Sequence, residues 1–378
     1  MKTQIAVLAL AAAAVAACSP DRGVTGSTGP AALRADRLGA SAVGGSGEQA
    51  VYTLTNQASG NAVAIFTRAA DGRLTAAGTV STGGTGTGAG LGSQGALALN
   101  DEGQLLFAVN AGSNEISAFQ VNPEARLSLV ARTPSGGTRP ISLTVHGHLV
   151  YVLNAGGSGN ISGFTIDVNG ALTPLAGSTR PLSGPAVGPA QVAFSPDGGL
   201  LLVTEKNTNL IDIYTVGDDG VATGPTSVAS AGITPFGFAF GPAGGLFVSE
   251  AAGTASSYDV SEHGRLTVVS GAVPTHQGAP CWLVVTTDGR FAYTANARSG
   301  SISGFIIGAS GSLSLRDPSG QTATVGAGNT DLALTARYLY QLNGGGTITA
   351  LQVQEDGGLA ILGVVGGLPA GVAGLVAR

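Results

Sequence analysis

The chain has 378 residues, of which 62 are Gly and 17 are Pro, while 43% are hydrophobic and only 10% are charged. This balance excludes a disordered chain and indicates short strands joined by many tight turns. A net charge of −5 without any basic run excludes a nucleic-acid-binding surface, because phosphate backbones require clustered Lys and Arg.

The first predicted element is a processing signal at the N-terminus. Lys2 precedes an apolar run, Ile5–Ala14, that is too short to cross a bilayer as a helix. The motif Val-Ala-Ala-Cys ending at Cys18 resembles a bacterial lipobox, in which the Cys is lipidated and the preceding residues, here 1–17, are removed. Several acyl chains give stable anchoring, so we expect an exported protein anchored in the cell envelope, at the outer membrane or the periplasmic face. The alternative is an ordinary signal peptide with an incidental Cys.

The next predicted element is a flexible tether over residues 18–49. This segment is rich in Gly, Ser, Thr and Ala and shows no sustained apolar period. We therefore place the folded domain at residues 50–378.

From residue 50 onward the sequence repeats one pattern seven times. In each copy an apolar run ends in Asn or Glu, and successive ends lie 44 to 54 residues apart. A repeat of this length, built from strands and Gly turns, is typical of a β-propeller. The predicted fold is therefore all-β, a seven-bladed propeller with four antiparallel strands in each blade. The seven runs are Val51–Asn56, Leu106–Asn110, Val150–Asn154, Leu201–Glu205, Leu246–Glu250, Phe291–Asn296 and Leu339–Asn343.

Each copy contains the four strands of one blade in a fixed order. A short apolar strand and a tight turn precede the run that ends in Asn or Glu, and two further strands follow it. The chain begins with a second strand and ends with a lone first strand, Val372–Val376. We predict that this last segment completes the first blade and closes the ring. One insertion, Ser81–Ser93, is rich in Gly, Thr and Ser and is predicted to be a mobile surface loop without function.

Strand direction predicts which residues surround one mouth of the ring. The ends of the second strands and the residues before the first strands lie at the same end of the axis, because successive strands run up and down. Five of the ends are Asn, which is an ordinary turn residue, but Glu205 and Glu250 replace it in consecutive blades, and Arg298 follows in the next blade. We expect these groups to share one sector, either as an ion-pair network or as a functional site. Residues before first strands at this mouth include Arg139, Gln191, Phe236, His276 and Cys281.

His276 is the one His of the four that precedes a first strand. It can supply a general acid or base near neutral pH, although a solvated loop His is the simpler interpretation. No paired His and no Cys cluster has the spacing of metal ligands. The sequence therefore predicts no metal and no cofactor.

From Val51 to Ala377 the sequence resembles the lactonase family of seven-bladed propellers, which includes 6-phosphogluconolactonase and the 3-carboxy-cis,cis-muconate lactonizing enzyme. The likeness is carried by Phe-Ser-Pro-Asp-Gly at 194–198, by the run Thr287–Asn296 and by strand ends of the form Tyr/Phe-x-x-Asn. The resemblance implies a propeller that hydrolyses or isomerises lactones.

The resemblance also implies a site. Glu250 matches the family's Glu, Arg298 matches its Arg with a displacement of one residue, and Glu205 stands where the family often has Asp. The family's His residues are absent here, because Gly188–Gln191 and Pro235–Gly237 occupy the corresponding runs. The resemblance therefore leaves acid–base catalysis open.

Two functions from different classes follow. The first is a lactonase-like hydrolase that opens a sugar-derived or other small lactone, with Glu250 as base and Arg298 binding an oxyanion, carboxylate or phosphate. The alternative is a non-catalytic envelope binding or scaffold propeller with an unknown protein partner, which fits the missing His. The predicted catalytic residues are Glu250, Arg298, Glu205 and His276, and the predicted substrate-binding residues are Arg139, Gln191 and Asn296.

Overall fold

The computed structural model describes residues 49–378, which form thirty β-strands and no helix. The strands form seven antiparallel sheets, each with four strands in radial order, and two of them have an outer strand broken into two pieces. This arrangement confirms the predicted seven-bladed β-propeller. The predicted signal at 1–17, the lipidated Cys18 and all but the last residue of the tether lie outside the described residues, so envelope anchoring stays a prediction. Within 49–378 no helix is long and apolar enough to span a membrane.

The two ends of the described chain close the ring. The final strand, β30 (Ala373–Ala377), pairs antiparallel with β1 (Ala50–Leu54), with Tyr52 opposite Val376. The predicted closure is therefore confirmed, one residue later in the chain than expected. Because the innermost strand comes from the C-terminus, blade 1 is completed only when both ends meet, and no radial sheet edge stays open.

Blades 1 to 4 begin with β30 and β1 and run through residue 229. The strands after β1 are β2 (Ala62–Arg68), β3 (Leu74–Ser81), β4 (Leu97–Leu99), β5 (Leu105–Asn110), β6 (Glu115–Val121), β7 (Leu127–Pro134), β8 (Pro140–His146), β9 (Leu149–Asn154), β10 (Asn160–Ile166), β11 (Leu172–Pro174), β12 (Arg180–Pro181), β13 (Pro189–Phe194), β14 (Leu200–Glu205), β15 (Leu210–Val216) and β16 (Ala222–Ala229).

Blades 5 to 7 follow in the same order. Their strands are β17 (Pro235–Phe240), β18 (Leu246–Glu250), β19 (Thr254–Val260), β20 (Leu266–Pro274), β21 (Pro280–Val285), β22 (Phe291–Asn296), β23 (Ser301–Ile307), β24 (Leu313–Leu315), β25 (Ala323–Thr324), β26 (Asn329–Leu334), β27 (Tyr338–Asn343), β28 (Thr347–Val353) and β29 (Leu359–Val365).

Neighbouring blades are joined by apolar packing and by a repeated tyrosine contact. The second and third strands of each blade are almost wholly buried, so both of their faces pack against adjacent blades. In four blades a buried Tyr of the second strand donates its hydroxyl to a turn carbonyl of the next blade, which satisfies its polar end. The bonds run from Tyr52 to Ala125, Tyr151 to Gly220, Tyr293 to Gly357 and Tyr340 to Gly72, at 2.8 to 3.0 Å.

The connections divide the ring into two faces. The crossover face carries the loops from one blade to the next and the turns after the second strands, whereas the hairpin face carries the turns after the first and third strands. Glu205 and Glu250 end β14 and β18 and therefore lie on the crossover face.

The insertion after β3 crosses the axis of the ring. We name residues 82–96 the axial loop. Its Gln94 side chain donates to Leu283 O at 2.8 Å and accepts from Leu283 N at 3.0 Å in blade 6, and its backbone N donates to Ala190 O in blade 4. Ser93 O accepts from Trp282 Nε1 at 2.9 Å. The segment Ser81–Ser93, predicted to be a surface loop without function, therefore has structural contacts across the ring at Ser93 and at the Gln94 that follows it, of which its low-complexity sequence gave no sign.

Candidate functional site

In six of the seven blades the strand-end residue of the crossover face binds the incoming crossover loop of its own blade. In blades 1, 3 and 7 an Asn amide donates to a loop carbonyl, and in blade 2 the Asn accepts from a loop hydroxyl. In blades 4 and 5 the loop instead presents a backbone N–H, and there the residue is Glu, which accepts only. The six contacts are Asn56 to Gly371 O, Asn110 to Thr82 Oγ1, Asn154 to Ser135 O, Glu205 to Ser183 N, Glu250 to Gly232 N and Asn343 to Ala327 O.

Glu250 has no solvent-exposed surface. Its carboxylate accepts from Gly232 N at 3.0 Å, from the Thr254 and Ser256 hydroxyls at 2.5 Å each, and from the Ser230 hydroxyl at 3.4 Å. Burial raises the pKa of Glu250, and the hydrogen bonds from these donors oppose that rise. A Cβ at Gly232 would lie 2.1 Å from Glu250 Oε2, so any larger residue there would displace the carboxylate from its donors. The carboxylate therefore holds the loop between blades 4 and 5.

Glu205 has a second buried carboxyl group beside it, that of Asp212 on β15. Ser183 donates its backbone N to both, at 3.1 Å to Glu205 and 2.9 Å to Asp212. The Ser183 and Thr208 hydroxyls also donate to Glu205, and the Ser227 hydroxyl donates to Asp212 at 2.5 Å. Burial, followed by the hydrogen bond with Glu205, raises the pKa of Asp212 to about 7. The pair therefore retains one proton near neutral pH, since two adjacent buried carboxylates repel each other.

This retained proton predicts how stability depends on pH. Between its ordinary value of 3.8 and about 7, Asp212 is protonated in the folded chain and ionised in the unfolded chain, so stability falls as pH rises through this window. A shift of this size corresponds to about 4 kcal/mol, and because solvent screens part of the interaction we expect the free energy of unfolding to drop by about half of that, about 2 kcal/mol, over this range. Asp212→Asn keeps a donor for Glu205 and an acceptor for Ser183, so it should remove most of the slope in urea titrations at several pH values. Asp218→Asn, at an exposed position on the hairpin face, is the control; an unchanged slope in Asp212→Asn would contradict the shared proton.

Arg298 and His276 lie on the crossover face of blade 6. Both side chains are exposed, and Arg298 N donates to Gly278 O at 3.1 Å, two residues after His276. Asn296 is buried beneath them and donates to the Ser301 and Ser303 hydroxyls, while its Oδ1 has no hydrogen-bond partner among residues 49–378. Blade 6 thus presents a cation and an imidazole to solvent above a buried amide.

Of the two alternatives for the predicted carboxylates, an ion-pair network or a functional site, the ion-pair network is not present among residues 49–378. The ion pairs among residues 49–378 do not include Glu205, Glu250 or Lys206. Gln191, predicted to bind substrate, uses both ends of its amide on the Phe238 backbone of the next blade, at 3.0 and 2.8 Å. The predicted site residues Glu205, Glu250 and Gln191 therefore have structural contacts that the sequence alone did not indicate.

The axis of the crossover face carries two cations. Lys206 Nζ donates to Gly92 O of the axial loop at 2.6 Å and lies 5.0 Å from the centre of the Phe236 ring. The Phe236 ring packs edge-on against Trp282 at 5.2 Å. Burial, with the positive charge of Arg139 as a smaller cause, lowers the pKa of Lys206 to about 7. Arg139 is exposed on the neighbouring blade and has a left-handed backbone, with φ of 54°. We name Lys206, Arg139, Phe236 and Trp282 the axial cluster.

Two cavities of the hairpin face lie away from the predicted site, and the described residues form no metal-ligand cluster there. A cavity of about 900 Å³ at the hairpin face is lined by Asn100 to Gln104 and Arg378, and one of about 470 Å³ lies between blades 5 and 6 on the same face. Neither contains a predicted site residue. In the part of the chain that the structure describes, no group of three or more His, Cys, Asp or Glu is placed to hold a metal ion.

Sequence reasoning did not include Asp212 at this face, and it considered Lys206 only as a possible member of an ion-pair network. Lys206 is one of only two lysines and directly follows a strand end. Because successive side chains of a strand point in opposite directions, Lys206 points towards the axis and Glu205 points towards the crossover loop. Asp212 is a carboxylate between two Ile residues of a strand, and an acidic residue on a buried strand requires a partner. Both signals were present in the sequence, but the partners become visible only in three dimensions.

Comparisons with known proteins agree with this fold. The sequence matches the model of a family described as Lactonase, 7-bladed beta-propeller, over residues 46–187 and 246–332. No curated protein matches the chain.

Solved structures show the same architecture. A Bacteroides fragilis protein assigned as a 6-phosphogluconolactonase has a TM-score of 0.72 at 18% identity and covers 89% of this chain and 100% of its own. The periplasmic gluconolactonase of Pseudomonas aeruginosa has a TM-score of 0.68 at 17% identity and covers 87% and 98%. A Lactobacillus plantarum protein has a TM-score of 0.68 at 20% identity and covers 88% and 99%. At these identities the likeness shows the fold alone.

Proposed function

Since the chain belongs to the lactonase family of seven-bladed β-propellers, we propose that it is a hydrolase that opens a small lactone at the crossover face. The observation that carries this proposal is the family match. Its second segment, 246–332, contains both Glu250 and Arg298, which the resemblance matches to the family's Glu and, with a displacement of one residue, to its Arg.

The charges of the crossover face support an anionic substrate. The chain as a whole carries −5, yet this face presents Arg139, Arg298 and the partly exposed Lys206. An exposed guanidinium binds a carboxylate or phosphate through two parallel hydrogen bonds and stabilises an oxyanion. The substrate class that fits is a sugar-derived lactone, with or without a phosphate group. The relatives named as 6-phosphogluconolactonase and gluconolactonase agree with this class.

Glu250 is the base in this proposal, and it acts through a hydroxyl. Its carboxylate is buried, but two of its donors, Thr254 and Ser230, are partly exposed. A water molecule bound to either hydroxyl attacks the lactone carbonyl, and its proton passes through that hydroxyl to the carboxylate. The raised pKa of Glu250 makes it a stronger base than an exposed carboxylate. Arg298 stabilises the negative charge that develops on the carbonyl oxygen.

Arg298→Ala tests this proposal at a position that is exposed on the crossover face. We expect the rate of enzymatic lactone hydrolysis to fall about 100-fold, the usual effect of removing one oxyanion donor. Arg73→Ala is the control, because Arg73 is an exposed guanidinium of the hairpin face whose one ion-pair partner among residues 49–378 is Asp71. Acid release in a pH-stat measures both variants; equal rates in Arg298→Ala and the wild type would remove Arg298 from the proposed mechanism.

A second candidate function is a binding propeller without chemistry. Two observations favour it: the carboxylates at the strand ends already hold crossover loops, and the axial loop closes the axis through Gln94. In this alternative the crossover face binds an unidentified partner and no lactone is hydrolysed. A wild-type chain that leaves every lactone of a sugar-lactone panel at its spontaneous rate would support it.

A further inference from the structure

Blade 5 lacks a bulky side chain that five other blades place against the next blade. The position is the fifth residue before the Asn or Glu that ends the second strand, and in blade 5 it is Gly245. The five other blades have a large apolar residue there. These residues are Leu105, Leu149, Leu200, Phe291 and Tyr338.

In those five blades the bulky side chain covers a turn glycine of the next blade. A Cβ added to that glycine would lie 2.4 to 3.5 Å from the side chain. The corresponding glycine of blade 6 is Gly311, in the turn after its third strand, and a Cβ added there would meet no atom within 4 Å. Blade 5 therefore leaves this turn of blade 6 uncovered. The covered glycines, in the order of the residues above, are Gly170, Gly220, Gly264, Gly357 and Gly72.

Blade 5 also lacks the hydroxyl group that joins four other pairs of neighbouring blades. In those pairs a tyrosine of the second strand donates to a carbonyl in a turn of the next blade. Blade 5 has Phe247 at this position, three residues before Glu250, just as Tyr151 lies three residues before Asn154. Because Phe has no hydroxyl group, the carbonyl of Gly311 does not receive the bond that the other junctions have.

A cavity of about 470 Å³ lies where these two groups are missing. Gly245, Phe247 and Gly311 all line it, together with the half-buried side chains of Val269 and Ile307. The volume falls within the usual range of small-molecule sites, about 300–1,000 Å³. The cavity lies on the hairpin face, opposite the face of the proposed lactone site.

The charged residues of the cavity wall favour a cation. Arg290 is already paired with Asp288 at 3.1 Å, and its guanidinium lies 4.8 Å from the centre of the Phe291 ring. Asp259 also lines the cavity; it is exposed and takes part in no ion pair among residues 49–378. The wall therefore offers one carboxylate to a positively charged group.

We propose that this cavity binds small phenolic cations, in which an aromatic ring carries a hydroxyl group and a short chain ends in an ammonium group. The ring fills the space beside Gly245 and packs against Val269 and Ile307. The hydroxyl group donates to Gly311 O, as a tyrosine does at the other junctions, and the ammonium group lies beside Asp259. This binding is separate from lactone opening, because it uses other residues on the opposite face.

Calorimetric titration of the full chain with tyramine tests the proposal. Tyramine has the ring, the hydroxyl group and the ammonium group, and we expect saturable binding with a Kd below about 1 mM. The analogue 2-phenylethylamine lacks only the hydroxyl group and should bind about five- to tenfold more weakly, because one hydrogen bond is lost. Absence of saturable tyramine binding, or equal affinities of the two amines, would overturn the proposal.

Gly245→Leu tests the location of the site, because it restores the side chain that blades 2, 3 and 4 have at this position. A Cβ added at Gly245 would meet its nearest atom, on Phe247, at 3.7 Å, which is an ordinary contact. We expect the midpoint of guanidinium chloride unfolding to stay at or above the wild-type value, while the Kd for tyramine rises at least about tenfold. Wild-type affinity for tyramine in Gly245→Leu would place the ligand elsewhere.

Two further variants test the polar contacts one at a time. Phe247→Tyr gives Gly311 O the donor found at the other junctions, so the preference for tyramine over 2-phenylethylamine should disappear. Asp259→Asn should weaken tyramine binding about threefold and leave the binding of uncharged 4-methylphenol within about twofold.

Asp218→Asn is the control for Asp259→Asn. It makes the same change in net charge at another exposed position of the hairpin face and should alter neither affinity. Equal effects of the two substitutions on tyramine would overturn the contact between Asp259 and the cation. A preference for tyramine that persists in Phe247→Tyr would overturn the hydrogen bond to Gly311.

Discussion

Replacing Gly320 with Ala is expected to lower the free energy of unfolding by more than about 3 kcal/mol. A Cβ at this position would lie 1.6 Å from the carbonyl oxygen of Thr275, and both partners are backbone. Gly320 also has φ of +74°, a conformation that costs an L-residue about 1 kcal/mol or more. The contact cannot be relieved by a rotamer change, so the loop that contains Gly320 or the crossover loop that contains Thr275 must move.

The crossover loop that contains Thr275 also carries His276. Gln277 in this loop donates to Ser319 O at 2.9 Å, and the Ser303 hydroxyl donates to Gly320 O at 2.5 Å. Displacing Gly320 therefore disturbs the polar support beneath Asn296, because the Ser303 hydroxyl also accepts from that amide. We expect blade 6 to lose its local order first in Gly320→Ala.

Gly311→Ala separates steric overlap from backbone strain. Gly311 has a similar φ of +80°, but a Cβ there would meet no atom within 4 Å. Its expected cost is about 1 kcal/mol from the left-handed backbone alone. Guanidinium chloride titrations of both variants measure the difference, and similar losses of stability in the two would show that the contact between Gly320 and Thr275 is not tight.

Replacing Glu250 is expected to separate a structural from a chemical role. Glu250→Ala removes the acceptor of the Gly232 N–H and of three hydroxyls, and it leaves a cavity where the side chain has no exposed surface. Because an orphaned buried donor costs about 1–3 kcal/mol and a buried cavity adds to it, we expect a loss of about 3 kcal/mol or more in the free energy of unfolding.

Glu250→Gln is the matched variant. Its amide oxygen still accepts from Gly232 N, and its NH₂ group donates to a hydroxyl that rotates to accept, so stability should change by about 1 kcal/mol or less. Gln is not a base at neutral pH, however, so lactone hydrolysis should fall by about 100-fold or more. Chemical denaturation measures the stability of both variants, and acid-release assays measure their lactone hydrolysis. Lactone hydrolysis at the wild-type rate in Glu250→Gln would show that Glu250 has only a structural role at the junction of blades 4 and 5.

The fold could be predicted because each blade of the propeller corresponds to one copy of a sequence repeat. The seven strand ends recur at near-even spacing, and the lone strand at the C-terminus has only one place to pair, so blade number and closure follow from counting. The axial loop could not be predicted in this way. Its Gly-rich sequence carries no period, and the Gln94 contacts join it to Leu283, which is 189 residues away.

The candidate site was only partly predictable, because it also depends on contacts between residues that are distant in the sequence. The pattern placed Glu205 and Glu250 at strand ends, but whether a crossover loop offers an N–H or a carbonyl at that point depends on the path of the loop in space. The carboxylates proved to be acceptors for Ser183 and Gly232 rather than members of an ion-pair network. Local sequence specifies strands and turns well, and it specifies contacts between loops of different blades poorly.

The central claim, that this propeller opens lactones at its crossover face, is tested most directly by acid release from glucono-lactone and its 6-phosphate in a pH-stat. The account predicts saturable release by the full chain above the spontaneous rate of ring opening, and its loss in Arg298→Ala. Release at the spontaneous rate for both lactones, with the wild-type chain folded, would contradict it.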